Sequence, residues 1–215
     1  MVARPEGSQV VIEMWADLGC PWCYLGKHRL RTAIAQRPDA ERFTIVPRSF
    51  ELDPDAPREP EKNEESFLRT HGGTAAHVLR AERQMQAMAR EEGLEYTPDR
   101  LTANTFDLHR VVQYANDQGR GFEFFSDVQD GFFAGTLNPF DPDALAAVAE
   151  SAGLDGRRVR EILASDEYAD RVRADRREGT ELGATGVPFV VLDGRVAAPG
   201  ARKVAAYAEL LERVS

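Results

Sequence analysis

Two cysteines, Cys20 and Cys23, are the only thiols in the chain, and they stand where a strand-like segment gives way to a helical one. Gln9 to Ala16 (QVVIEMWA) has the β-branched, apolar character and the length of a strand. Asp17-Leu18-Gly19 reads as a short loop. From Pro21 onward Leu25, Leu30, Ala33 and Ile34 recur at three- and four-residue spacings, the period of a helix. Pro21 suits an early helical position, where its missing N–H costs nothing. A strand that passes through Cys-X-X-Cys into a helix marks the beginning of an α/β unit and, in a protein of a reducing compartment, a redox site.

The pair has three readings: reactive, metal-binding or incidental. A structural disulfide between Cys20 and Cys23 would close a tiny loop and remove little entropy from the unfolded chain. No further cysteine is present to build a stabilising framework. Zinc normally takes four ligands, whereas His28, His71, His77 and His109 are scattered along the sequence, so no metal is expected. Thiol chemistry is the favoured reading. Cys20 would sit at a helix N-terminus, where unpaired backbone N–H groups and the helix dipole stabilise an anion. The thiolate is the attacking form of cysteine. Cys23, one turn on, faces the same side and can resolve a mixed disulfide. Pro21 and Trp22 between them tune the thiolate.

The remaining pattern is β-α-β, a long helical stretch, then α-β-β-α. Arg42 to Phe50 reads as a second strand, with Pro47 marking an edge or a bulge. Glu51 to Asn63 is a Pro- and acid-rich loop. Helical patterns follow over Glu65–Glu92 (interrupted by Gly72-Gly73), Pro98–Asp117, Phe122–Gly135, Asp141–Ser151 behind an Asp cap, and Asp155–Ala164. Ser165 is the expected cap of a further helix that ends near Leu182. Phe189–Leu192 and Val196–Ala198 flank Asp193-Gly194, a hairpin signal, and Ala201–Arg213 closes the chain as a helix. The expected fold class is therefore α/β: a small α/β unit built from residues 1–63 and 167–215, the part that the resemblance described below makes thioredoxin-like, bracketing an all-helical insertion over 64–166. Phe122, Phe124, Phe125, Phe132 and Phe133 cluster in that insertion. At helical spacing they read as core, with an apolar groove of a chaperone-like binding protein as the competing reading.

Gly186-Val187-Pro188 precedes a strand and follows a helix. An X-Pro bond tolerates cis far better than any other. This is where a thioredoxin-type fold sets a cis proline opposite its cysteines, leaving the backbone of the preceding residue, Val187, free to pair with a substrate chain as an added strand.

A net charge of −9 argues against nucleic-acid partners, which need a basic face. The Arg-rich stretch Arg171 to Arg177, interleaved with Asp170, Asp175 and Glu178, reads as a solvated helix face laced with ion pairs. No apolar run reaches the ~18–20 residues of a membrane helix. Met1 to Gln9 has no apolar signal-peptide region, so a cytoplasmic location is expected, with the chain a monomer or homodimer.

Three segments, DLGCPWCYLGKHRL (Asp17–Leu30), NTFDLHRVVQYA (Asn104–Ala115) and LGATGVPFVVLDG (Leu182–Gly194), resemble DsbA-family thiol–disulfide oxidoreductases of the FrnE type. The resemblance spans nearly the whole chain. It implies a thioredoxin fold with a helical insertion and a redox-active CPWC motif. In those terms Cys20 is the attacking and Cys23 the resolving thiol, Pro188 the cis proline, and Val187 with Trp22 the substrate-binding neighbours. The partners implied are proteins with thiols or disulfides, or small thiols. No cofactor is needed beyond the Cys20–Cys23 disulfide, with a low-molecular-weight thiol eligible as co-substrate. Asn104 and His109 belong to the matching segment without an evident chemical role; a helix cap and a packed histidine are the plain alternatives. Relatives commonly read Gly-Ala-Gln where this chain has Gly200-Ala201-Arg202, which removes support for a substrate contact there. The runner-up is a glutathione-dependent isomerase of the 2-hydroxychromene-2-carboxylate type or a kappa-class glutathione transferase. Those relatives hold a Ser at the nucleophile position, so Cys20 with Cys23 favours dithiol chemistry.

Overall fold

The computed structural model describes residues 9–214. In chain order the elements are β1 (Val10–Ala16), α1 (Pro21–Ala35), β2 (Phe43–Ser49), β3 (Glu61–Lys62), α2 (Asn63–His71), α3 (Ala75–Glu91), β4 (Leu101–Thr102), α4 (Phe106–Asp117), α5 (Gly121–Ala134), α6 (Pro142–Ser151), α7 (Gly156–Leu163), α8 (Ala169–Glu181), β5 (Phe189–Leu192), β6 (Val196–Pro199) and α9 (Val204–Glu212).

Four strands form the main sheet in the order β2-β1-β5-β6. β1 runs parallel to β2, from Val10 opposite Phe43 to Ala16 opposite Ser49, as a strand–helix–strand crossover requires. β5 returns antiparallel to β1, and β6 antiparallel to β5. With neighbours on both sides, β1 is covered over most of its length, which is why its sequence is apolar without strict alternation. β2 is an edge strand, so Pro47 removes no ladder donor that the sheet needs. Its carbonyl is used from outside the sheet, by the Asn116 side-chain amide at 2.9 Å. The β5–β6 hairpin turns at Asp193 (φ 55°) and Gly194 (φ 62°), the two positive-φ positions of a type I′ turn.

A continuous buried apolar cluster runs from β1, α1 and β2 through α4, α5, α6 and α7 to β5 and α9. Phe124, Phe125, Phe132 and Phe133 are buried, and the Tyr24 and Phe133 rings stack at 4.7 Å, tying α1 to α5. The phenylalanine group is core. Within 64–166 the strand among the described residues is β4, which pairs with β3 in a separate ribbon and adds nothing to the main sheet.

Three expectations need correction. The helix expected over Pro98–Asp117 begins only at Phe106. Its first residues are spent on the β3–β4 ribbon, and Asn63 and Asn104 donate backbone N–H groups to the carbonyls of Arg100 and Pro57. Ser165 does not cap α8: its hydroxyl accepts from Glu167 N–H at 3.3 Å, and the helix starts after Tyr168, whose φ is 63°. Asp175 is not part of a solvated face. It is buried, accepting from Ser49 N–H (2.8 Å), Arg48 (3.1 Å) and Gln113 (2.5 Å), while its carbonyl accepts from the Trp15 indole at 2.7 Å.

Candidate active site

Cys20 occupies the N-cap of α1, with φ −85° and ψ 116°, and its Sγ accepts the Cys23 N–H at 3.4 Å. A sulfur in that position takes the place of the Ser or Asp oxygen usually found there, and receives one of the unpaired donors of the first turn. The preceding loop is held from both sides. Cys20 N–H donates to the Asp17 carbonyl at 3.2 Å, and the Gln129 side chain on α5 donates to the carbonyls of Asp17 and Leu18.

The structure brings Cys20, Cys23 and Val187 together. Both thiols are free and buried, Cys20 3% exposed and Cys23 fully enclosed. Cys20 Sγ lies 3.9 Å from the Val187 carbonyl, and the Val187–Pro188 bond is cis. Val187 is half-buried and Pro188 buried, packed on Gly26 of α1. Trp22 is 46% exposed at the rim of a cavity of about 420 Å³ that opens beside Cys20. Leu52, Phe67, Met85, Met88 and Tyr96 supply apolar wall, and Asp53, His71, Glu82 and Arg100 supply polar wall. Arg202 is exposed and does not line this cavity.

Burial pushes the Cys23 thiol well above its ordinary range, and the hydrogen bond and charge of Cys20 push the same way. At neutral pH Cys23 is therefore a protonated thiol that must lose its proton to attack.

Sequence reasoning left the surrounding polar groups unassigned. Burial works to raise the Asp17 carboxyl, but His109 and the backbone N–H groups of Leu52 and Gly19 outweigh it and hold Asp17 below the usual carboxylate range. Asp17 accepts from Gly19 N–H at 3.1 Å and from Leu52 N–H at 2.7 Å, and the His109 ring is 3.7 Å away. Burial pushes the nearby Glu51 up. Asn104, one residue before the Thr105 N-cap of α4, uses its side-chain oxygen to accept from Phe106 N–H at 3.0 Å, and its amide reaches Glu51 at 3.4 Å. On α1, Lys27 is buried, bonded to Asp130 at 2.7 Å and to the Ser126 carbonyl at 3.2 Å; burial lowers it to about 8. Asp17 was visible as the residue three places before Cys20, but nothing in the sequence pairs it with His109, 92 residues on.

Residues 11–212 match the DSBA-like thioredoxin domain family. Among solved structures, one described as a probable DsbA oxidoreductase from Streptomyces coelicolor is similar at 37% identity and a TM-score of 0.88, covering 96% of this chain and 90% of that one. Two more distant structures share the fold. The 2-hydroxychromene-2-carboxylate isomerase has 17% identity and a TM-score of 0.71, over 94% of this chain and 95% of that one. The cytosolic disulfide reductase DsbM from Pseudomonas aeruginosa has 17% identity and a TM-score of 0.62, over 94% and 97%. With a cysteine pair at the start of α1, a β2-β1-β5-β6 sheet and a family match over nearly its whole length, the chain belongs to the DSBA-like thioredoxin domain family.

Proposed function

We propose that the chain is a thiol–disulfide oxidoreductase or isomerase in which Cys20 attacks and Cys23 resolves. The observation that carries this reading is the setting of Cys20 Sγ: at the N-cap of α1, hydrogen-bonded by Cys23 N–H, facing the Val187 carbonyl, and beside an open cavity. The Cys20 thiolate attacks a substrate disulfide, forming a mixed disulfide and releasing one substrate thiolate. Cys23 then attacks Cys20 Sγ, releasing the second substrate thiol and leaving a Cys20–Cys23 disulfide. In isomerisation a substrate thiol takes the place of Cys23 in the second step.

Val187 offers its backbone to an extended substrate segment, Pro188 holds it beside Cys20, and Trp22 gives an exposed apolar face at the rim. We divide the chain into a thioredoxin-like unit (1–63 and 167–215) and an insertion (64–166). In that division Leu52 and Cys20 of the first face Phe67, Met85 and Met88 of the second across the cavity. Substrates are proteins or small molecules with thiols or disulfides, and a low-molecular-weight thiol serves as co-substrate. The DsbM structure solved with GSH lends support to that choice, and its description as cytosolic agrees with a cytoplasmic location. The volume of the cavity favours a second reading, a small-molecule substrate of the kind a glutathione-dependent isomerase takes. Retention of Cys23 beside Cys20 favours the dithiol reaction.

Equilibration of the protein in glutathione redox buffers, with the Cys20–Cys23 thiols counted after alkylation, tests the proposal. One two-electron transition at a potential between roughly −120 and −300 mV is expected. Insulin reduction and refolding of scrambled ribonuclease then separate reductase from isomerase. A pair that stays dithiol across that whole range contradicts the proposal.

A further inference from the structure

The arginine-rich stretch of α8 is only partly laced with ion pairs. Arg171 bonds Asp117 at 2.7 Å and Arg173 bonds Asp170 at 3.0 Å. Arg176 and Arg177 are exposed, and among the described residues neither is hydrogen-bonded or ion-paired to a carboxylate. The Arg176 guanidinium lies instead over the Phe50 ring, 5.9 Å from its centroid. With Glu51, Arg173, Thr180 and Glu181, these two arginines line an open groove of about 450 Å³. Three guanidiniums therefore face two carboxylates on its walls, in a chain whose net charge is −9.

The position of the groove gives those arginines meaning. Glu51 lines the groove and the next residue, Leu52, lines the cavity beside Cys20. Consecutive Cα atoms are about 3.8 Å apart, so the two openings share one wall. Phe50, under Arg176, belongs to a buried cluster with Ala184 and Phe189, and Val187 packs against that cluster. The groove thus adjoins both Cys20 and the residue whose carbonyl faces its sulfur.

We propose that this groove docks an acidic segment of a protein substrate, an Asp or Glu about two to five residues from the reacting cysteine. The inference rests on the reading of Cys20 as the attacking thiol and of Val187 as the backbone that receives an extended segment. An extended chain advances about 3.3 Å per residue, so a segment held beside Cys20 carries neighbouring side chains past the shared wall. A carboxylate matches the fork of a guanidinium, and Arg176 and Arg177 hold no carboxylate of their own to give up. Glu51 and Glu181 on the same walls disfavour a phosphate chain, which needs a run of uncompensated cations. The protein as a whole repels acidic segments, and the arginine groove is where that repulsion is reversed, next to the nucleophile.

Activated peptides test the proposal. Peptides of one length carry a central cysteine as its disulfide with thiopyridine. An Asp-Glu, Asn-Gln or Lys-Lys pair stands either before or after that cysteine. Cys20 of the reduced protein attacks the peptide sulfur, and the thiopyridine that leaves is followed by its absorbance. Contacts between exposed charges are individually weak, so the acidic pair on one side of the cysteine should speed the reaction about 3- to 10-fold over the neutral pair. On the other side it should give no gain. At about 1 M salt, where screening acts within ~3 Å, the preference should vanish. Arg176→Gln and Arg177→Gln should each lower the acidic-to-neutral ratio, and Arg177→Glu should shift the preference toward the lysine peptide. Arg177 is exposed and holds no partner, so its variants test the groove even where Arg176→Gln disturbs Phe50.

Equal rates for the three pairs in both placements overturn the proposal while the reading of Cys20 stands. An equal gain from both placements means diffuse attraction without docking and overturns it too. Competition by a single-stranded oligonucleotide at stoichiometric concentration assigns the groove to phosphate and does the same. Reduced wild-type protein that releases thiopyridine from none of the peptides overturns the reading of Cys20 as the attacking thiol.

Discussion

A β-carbon at Gly26 would stand 2.9 Å from Cγ of Pro188, closer than side chains tolerate, so the absence of a side chain lets α1 press directly on the proline beside Cys20. The Pro188 ring is buried and closed onto its own backbone, so it cannot swing aside like the end of a long side chain. Gly26→Ala should therefore cost about 1–3 kcal/mol of stability through overpacking. It should also reduce disulfide reduction about 10-fold or more, because Val187 and Cys20 lose their alignment. Denaturant unfolding and an insulin-reduction assay on the same preparation measure both. A variant with wild-type stability and rate would show that the α1–Pro188 contact is not a constraint.

Asp175 gathers Arg48, Ser49 N–H and Gln113 on its carboxylate at the end of β2, with neither cysteine among its hydrogen-bond partners. Asp175→Ala strands the Ser49 N–H and leaves the buried Gln113 amide with only the Ser49 hydroxyl, and a loss of about 3–5 kcal/mol is expected. The variant that still folds should react with a small disulfide through Cys20 at the wild-type rate. Unfolding midpoints and single-turnover rates check the two halves; a change in rate without a change in stability would contradict the placement.

Lys27 gives a pH signature. Burial lowers it to about 8, below the ~10.4 it has in an unfolded chain. Between those values the unfolded state binds more protons than the folded one, so this residue's contribution to stability rises with pH over that window. Below pH 8 the folded protein bears the cost of a buried ammonium, shared with Asp130. Lys27→Met removes the dependence. The stability of wild type relative to Lys27→Met should improve by up to roughly 3 kcal/mol between neutral pH and pH ~10.4. Cys23, raised by burial, acts with the opposite sign, but it is present in both proteins and cancels in the difference. Parallel stability curves would contradict the assignment.

Much of this arrangement was legible in the sequence, and the reasons are local. Val10–Ala16 and Phe189–Leu192 are short, apolar and β-branched, so strand character was plain in the residues themselves. Cys20 and Cys23 were readable because loop, N-cap and first turn are contiguous. The extended stretch before α4 was not, because Leu101 and Thr102 pair with a segment about 40 residues earlier, and that long-range pairing overrode local helical character. Asp175 looked like one more acid on an Arg-rich surface because only the fold turns it toward Ser49 and Gln113. Likewise the 17–109 approach joins the loop after β1 to α4, and the cavity is assembled from α1, the loop after β2, α2 and α3; no window of sequence contains either.

The central claim, that Cys20 attacks and Cys23 resolves, is tested most directly by trapping the mixed disulfide. Cys20→Ser and Cys23→Ser variants are incubated with a protein disulfide substrate and run on non-reducing gels with and without reductant. Cys23→Ser retains the N-cap thiol and lacks the one that breaks the intermediate, so it should accumulate reductant-sensitive covalent complexes. Cys20→Ser, left with the enclosed, protonated Cys23, should form few complexes and lose turnover. Equal trapping by the two variants, or full activity in the double serine variant, would contradict the account.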